Sequence, residues 1–184
     1  MCRGLLLAGV AALVLAASPA ADVTPLDRDL LREINTVRAA HARPPLRLDP
    51  VLQRAAEAHS ADMVARDYFA HGDFAARMRR FRARGPLLGE NLAWGSGPYT
   101  SAQAIVRLWL GSPGHRANLL RANFQRAGVA AVTGRFSGVA GAVVVTVDFA
   151  GDPRATPTTR PPSGRANPPA SPAVGRPALP ARAE

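Results

Sequence analysis

At 184 residues the chain is long enough for one ordinary domain with extensions, and 47% hydrophobic against 20% charged residues excludes wholesale disorder. All 23 cationic side chains are arginine, which against 13 acidic residues leaves a net charge of +10. The only cysteine is Cys2, which excludes a disulfide scaffold, a zinc ribbon and a thiol enzyme.

Arg3 precedes an uninterrupted run of 14 small and apolar residues, Gly4–Ala17, followed by Ser18-Pro19-Ala20-Ala21. This pattern predicts a secretory signal peptide over residues 1–21, cut after Ala20 or Ala21. The run falls short of the roughly 20 apolar residues a spanning helix needs. The reading is therefore an extracellular or periplasmic protein that is not integral to a membrane once cleaved. Cys2 lies too early to be a lipoprotein cysteine.

Thr24-Pro25-Leu26-Asp27 carries a capping hydroxyl, a proline at the first helical position and a carboxylate three residues after the cap. Leu30, Leu31, Ile34 and Val37 then recur at helical spacing, predicting a first helix that ends before Pro44-Pro45. A second helix is expected from Asp49-Pro50 to about Tyr68, with Leu52, Ala56, His59 and Met63 on one stripe. Arg77, Arg79, Arg80, Arg82 and Arg84 surround Met78 and Phe81, as either a short helix or a basic loop. Leu87–Trp94 alternates like a strand. Thr100-Ser101-Ala102-Gln103 resembles a capping box for a helix through Trp109, and Ser112-Pro113 opens another. Gly128–Thr133 and Ala142–Phe149 read as strands around a turn holding Gly134, Ser137, Gly138 and Gly141. Helices followed by late strands predict an α+β domain over residues 22–151, an antiparallel sheet covered by helices.

Residues 22–151 hold 17 arginines against 11 acidic residues, about +6, short of the charge footprint of a specific nucleic-acid binder. Residues 152–184 carry nine of the 17 prolines and none of the ten aromatic residues, so this segment reads as a disordered Pro/Ala/Arg-rich tail.

Without thiol or lysine chemistry, the histidines and a few acids are the candidates. His115 falls at the third position of a helix opened by Ser112, where the positive end of the helix dipole disfavours imidazolium. It is either a neutral metal ligand or proton acceptor, or a cap that merely packs. Glu90 shares a strand face with Leu88, Leu92 and Trp94, so its carboxylate needs a histidine, arginine or metal partner. His71 follows Tyr68-Phe69-Ala70 where the chain turns at Gly72-Asp73, a position that also suits simple dipole stabilisation. His59, inside the apolar stripe, reads as a packed core histidine, and His41 as solvated.

The blocks His59-Ser60-Ala61-Asp62-Met63, Tyr68-Phe69-Ala70-His71, Gly89-Glu90-Asn91-Leu92-Ala93-Trp94, Ser112-Pro113-Gly114-His115-Arg116-Ala117-Asn118-Leu119-Leu120 and Val147-Asp148-Phe149-Ala150-Gly151 occur in this order. Together they resemble the CAP superfamily of cysteine-rich secretory proteins, venom antigens and pathogenesis-related proteins, in its compact bacterial secreted (SCP-like) form. The resemblance covers about residues 26–151. It implies an α–β–α sandwich and a cleft of two histidines and two acids that in some members holds zinc or another divalent cation. The matching positions here are His71, Glu90 and His115, with Asn91 beside Glu90. Ser112 stands where the second acid is usual.

His71, His115 and Glu90 would be a permissible zinc shell with water in the fourth place, yet with Glu90 as a ligand no carboxylate remains as a general base. The preferred reading is therefore a secreted, non-enzymatic module whose His/Glu cleft, with zinc or another divalent cation as its expected occupant, engages a small apolar ligand or an envelope or extracellular partner. The alternatives are a secreted metal-dependent hydrolase using the same cleft, and an anionic-polymer adhesin using the Arg77–Arg84 cluster and the tail.

Overall fold

A computed structural model describes residues 22–152. The expected signal peptide and all but the first residue of the expected tail lie outside the described residues.

Helix α1, Pro25–Ala40, opens on the capping box read from the sequence: Thr24 Oγ1 accepts from the Asp27 N–H and the Asp27 carboxylate accepts from the Thr24 N–H. A two-residue strand β1, Arg47–Leu48, leads into α2, Pro50–Arg66, capped by Asp49. Asp67 in the left-handed conformation, φ 51°, ends α2 slightly before the expected Tyr68. Of the two readings of the basic segment, the helix holds: α3 spans Phe74–Phe81 with Asp73 as its cap. Strand β2, Leu88–Gly95, and a 3-10 turn, Gly97–Thr100, precede α4, Ala102–Leu110. Its cap is Ser101, whose hydroxyl accepts from the Ala104 N–H, while Thr100 belongs to the 3-10 turn. Helix α5 covers Pro113–Leu120, and strands β3, Arg126–Phe136, and β4, Val139–Ala150, close the domain.

The β3–β4 hairpin turns through Ser137 and Gly138, both at positive φ, the twist that suits a two-residue loop between right-twisted strands. The sheet order is β1-β3-β4-β2. Its three long strands are antiparallel as expected, but β1 runs parallel to β3, so the sheet is mixed. β1 pairs at only two positions, too short a segment to show an alternation in the sequence.

Strand alternation sorts the sheet's residues between two layers. Ala93, Val143, Val145, Val147 and Phe149 pack with Leu30 and Ile34 of α1, Ile105 and Trp109 of α4 and Leu119 of α5. Leu92, Trp94, Ala142 and Val144 meet Met63 of α2 on the opposite face, where Leu52 and Ala55 of α2 also join Met78 of α3. The result is the α–β–α sandwich that the resemblance implies. Strand β2 forms one edge of its sheet.

Candidate functional site

The site is built around Glu90. Period-two alternation turns it toward α2 and α3 with Leu88, Leu92 and Trp94, and its side chain is only 3% exposed. A carboxylate so placed is stable only with partners, and two reach it. His71, in the segment between α2 and α3, donates from Nδ1 to Glu90 Oε1 at 2.6 Å. Arg77 of α3 donates from Nη2 to Glu90 Oε2, and from Nη1 to the His71 carbonyl at 3.1 Å. One guanidinium thus holds both the acid and the backbone of the histidine that the acid orients. Gly72, at φ 58°, supplies the turn after His71.

Beneath this pair lies a second acid. Asp148 stands directly opposite Glu90 across the β2–β4 ladder, on the same face, and its side chain is fully buried. Neither carboxyl oxygen of Asp148 has a protein donor within hydrogen-bond reach, and the Arg77 Nη2 is 4.0 Å from Oδ1. Burial, and then the facing Glu90, push the Asp148 carboxyl well above the usual carboxylate range, against the pull of Arg77. His59 of α2 completes the layer: its Nε2 donates to the Ala70 carbonyl at 3.0 Å and lies 3.9 Å from Glu90 Oε2. Burial holds its pKa below the ordinary histidine value, outweighing the opposite effect of Glu90. It is the packed core histidine expected from its stripe.

His115 approaches from the other layer, at the third position of α5. Asn91, whose side chain faces away from Glu90's, donates from Nδ2 to the His115 carbonyl at 3.1 Å. Asn118 then donates to both Asn91 Oδ1 and the Glu90 carbonyl. These asparagines fasten α5 to β2. Burial, and then the nearby His71, keep the His115 pKa below its ordinary value, which favours neutral imidazole. His71 thus belongs to the layer of α2 and α3 and His115 to the layer of α5, near enough for the charge of one to disfavour that of the other.

Of the residues proposed from the sequence, His71 and Glu90 are in direct contact, Asn91 positions α5, and His115 is their neighbour. Ser112 contributes less: it is the N-cap residue of α5, but its hydroxyl makes no capping hydrogen bond. Arg77, Asp148 and Asn118 join the site only in the fold. An acid interrupting the apolar run of β4 was the available signal for Asp148. Arg77 was hidden among five arginines whose separate directions only the fold distinguishes.

The zinc expected from the resemblance can be tested against these contacts. Glu90 would have to turn an oxygen toward the ion, but Oε1 is bound by His71 and Oε2 by Arg77. Among the described residues, no group of three or more His, Cys, Asp or Glu side chains is arranged to hold a metal ion. The donor set does not fit a divalent ion held jointly by His71, Glu90 and His115. Glu90 instead orients a histidine from behind.

Helices on both faces of a sheet, with a histidine bound to a buried acid on its edge strand, define a class of three-layer α–β–α domains. The chain belongs to the CAP, or cysteine-rich secretory protein, family, whose model matches residues 31–149. Its single Cys2 lies outside the matched region, so the family's name does not describe this domain. The uncharacterized protein YkwD of Bacillus subtilis is 31% identical over 117 residues, spanning 61% of this chain and 44% of that protein. The matched region is thus less than half of that relative. An extracellular SCP-domain protein from Bacillus anthracis superposes with a TM-score of 0.56 at 29% identity, over 68% of this chain and 40% of that one. An outer surface protein from Borrelia burgdorferi gives 0.59 at 20% identity, over 70% and 93%, a likeness of fold.

Proposed function

We propose that the chain is an exported, non-enzymatic CAP module whose cleft at the β2 edge engages a small apolar ligand or a cell-envelope or extracellular partner. The carrying observation is the state of Glu90: the acid that a hydrolase would need as a free base is buried and bound on both oxygens. A half-buried His71 and a partly buried His115 then offer ring edges rather than a reactive pair. The extracellular and outer-surface descriptions of two structural relatives support export, as does the Gly4–Ala17 leader. No helix among the described residues is long and apolar enough to cross a membrane.

The test is solvent extraction and mass spectrometry of the protein purified from its secretion compartment, beside an H71A/H115A variant. The wild-type chain is expected to carry a co-extracted apolar molecule, or to crosslink an envelope component, that the variant loses. Equal yields from both proteins refute the cleft as the binding site.

One observation favours a second reading, adhesion to an anionic polymer. Arg79, Arg80, Arg82 and Arg84 are exposed on α3 and the turn after it, with no salt-bridge partner among the described residues. Such binding is expected to weaken steeply with added salt and in an R79Q/R82Q variant, as a retention assay on an anionic matrix would show. Retention unchanged by salt refutes it.

A further inference from the structure

The domain places two carboxyl groups side by side on adjacent strands, in a layer that water does not reach. Glu90 and Asp148 are direct partners in the β2–β4 register, with side chains 3% and 0% exposed. Of two acids so placed, one either keeps its proton, as burial favours for Asp148, or shares a positive group standing beside the pair. In this chain that group comes from α3: Arg77, 10% exposed, contacts Glu90 Oε2 and lies 4.0 Å from Asp148 Oδ1. The helix is held at its start and at its middle. Asp73 caps its first turn, and Met78, one residue beyond Arg77, is buried against Leu52 and Ala55 of α2. Arg77 also donates to the His71 carbonyl, so the same side chain fixes the histidine whose Nδ1 meets Glu90.

We propose that Arg77 is the resident cation of this cleft: its guanidinium takes the place beside Glu90 that a divalent ion would need, so the His71–Glu90 pair is assembled without metal. Arg77 is a positioning residue, acting on the cleft through Glu90 and His71. The charge is covalently attached to α3, and a guanidinium does not lose its proton in the accessible pH range. The cleft is therefore independent of zinc supply, and chelation leaves it intact. The guanidinium is committed to Glu90: its bonded Nη2 faces that acid, while both Asp148 oxygens and the Arg77 Nε have no hydrogen-bond partner.

The test uses the full chain and zinc alone as the probe. Melting temperature is followed with excess chelator and with added Zn2+, and bound metal is measured after dialysis. Wild type is expected to melt at the same temperature in both conditions and to retain no cleft-dependent zinc. R77M, which keeps the bulk of the side chain but removes its charge, is expected to melt lower and to recover several degrees with zinc. Adding E90Q to R77M should abolish that recovery. R77K, which keeps a cation, should stay indifferent to zinc like wild type, a distinction that loss of packing alone would not produce. The proposal is overturned if wild type binds about one zinc per chain and loses it in H71A, or if folded R77M ignores zinc. Should R77M not fold under either condition, the wild-type and R77K measurements still decide the question.

Discussion

Arg38 shows how much of this domain rests on single polar side chains placed without a counter-ion. It is fully buried, and no acidic partner reaches it among the described residues. Its guanidinium donates instead to the carbonyls of Pro44, Leu119, Arg121 and Phe124. Two of those carbonyls lie at or just past the end of α5, where the helix leaves its last acceptors unpaired. Replacing Arg38 with Met is expected to destabilise the fold by about 3 kcal/mol, since several buried carbonyls lose a charged donor together. Urea denaturation would read this directly. Gly128 is the opposite case, a residue valued for having no side chain. A Cβ there would sit 2.0 Å from the Leu52 carbonyl carbon and 2.2 Å from the Gln53 amide nitrogen, so α2 can lie on β3 only over glycine. G128A should cost about 3 kcal/mol by overpacking backbone against backbone. A midpoint unchanged from wild type would contradict this contact.

At the scale of elements, the sheet's edges are closed by side chains rather than by further strands. β1 covers only the start of β3. Beyond it, Gln53 of α2 accepts from the Val129 N–H and donates to the Val129 carbonyl, while the Asp27 carboxylate accepts from the Ala131 N–H. On β2, the outward carbonyls of Glu90 and Leu92 accept from Asn118 of α5 and the Trp109 indole of α4. Each such cap occupies a backbone group that could otherwise pair with another chain. Q53L keeps the volume but strands one buried donor and one acceptor, and is expected to cost about 2 kcal/mol. Amide hydrogen exchange at Val129 should then accelerate, whereas unchanged protection would show that Gln53 does not hold that edge. Asp27, legible from sequence only as part of a capping box, thus serves the sheet as well. Burial raises its pKa in spite of the N–H groups it accepts from.

For the molecule as a whole, acid sensitivity follows from His59 and His115. Both have pKa values held below the ordinary 6.5 in the fold. The unfolded chain therefore takes up protons first as pH falls below about 6.5, and stability is lost from there down toward the depressed native values. Asp27 and Asp148, raised above 3.8, act in the opposite sense: the native chain holds their protons where the unfolded chain has released them. They favour the fold at low pH, and that contribution fades as pH rises through their native values. Comparison with variants separates the two trends. H115Q is expected to lose less stability than wild type between pH 7 and 5, measured by urea midpoints. An identical pH slope would mean that His115 is not neutralised by the fold.

Helix limits, strand alternation and the capping box at Thr24 were readable in the chain because each is dictated by neighbours within a few residues. The family was legible too, through motif blocks whose order survives in the linear sequence. That Glu90 required a partner also followed from its place on an apolar strand face. Which partner it received did not: His71 lies 19 positions away and Arg77 lies 13. Asp148 enters only because β4 returns beside β2 in one register. The direction of an arginine within a basic cluster, and the meeting of two acids from distant strands, arise when helices close on the sheet. Local spacing determines which face a side chain occupies, while only the packing of the layers decides what charge it finds there.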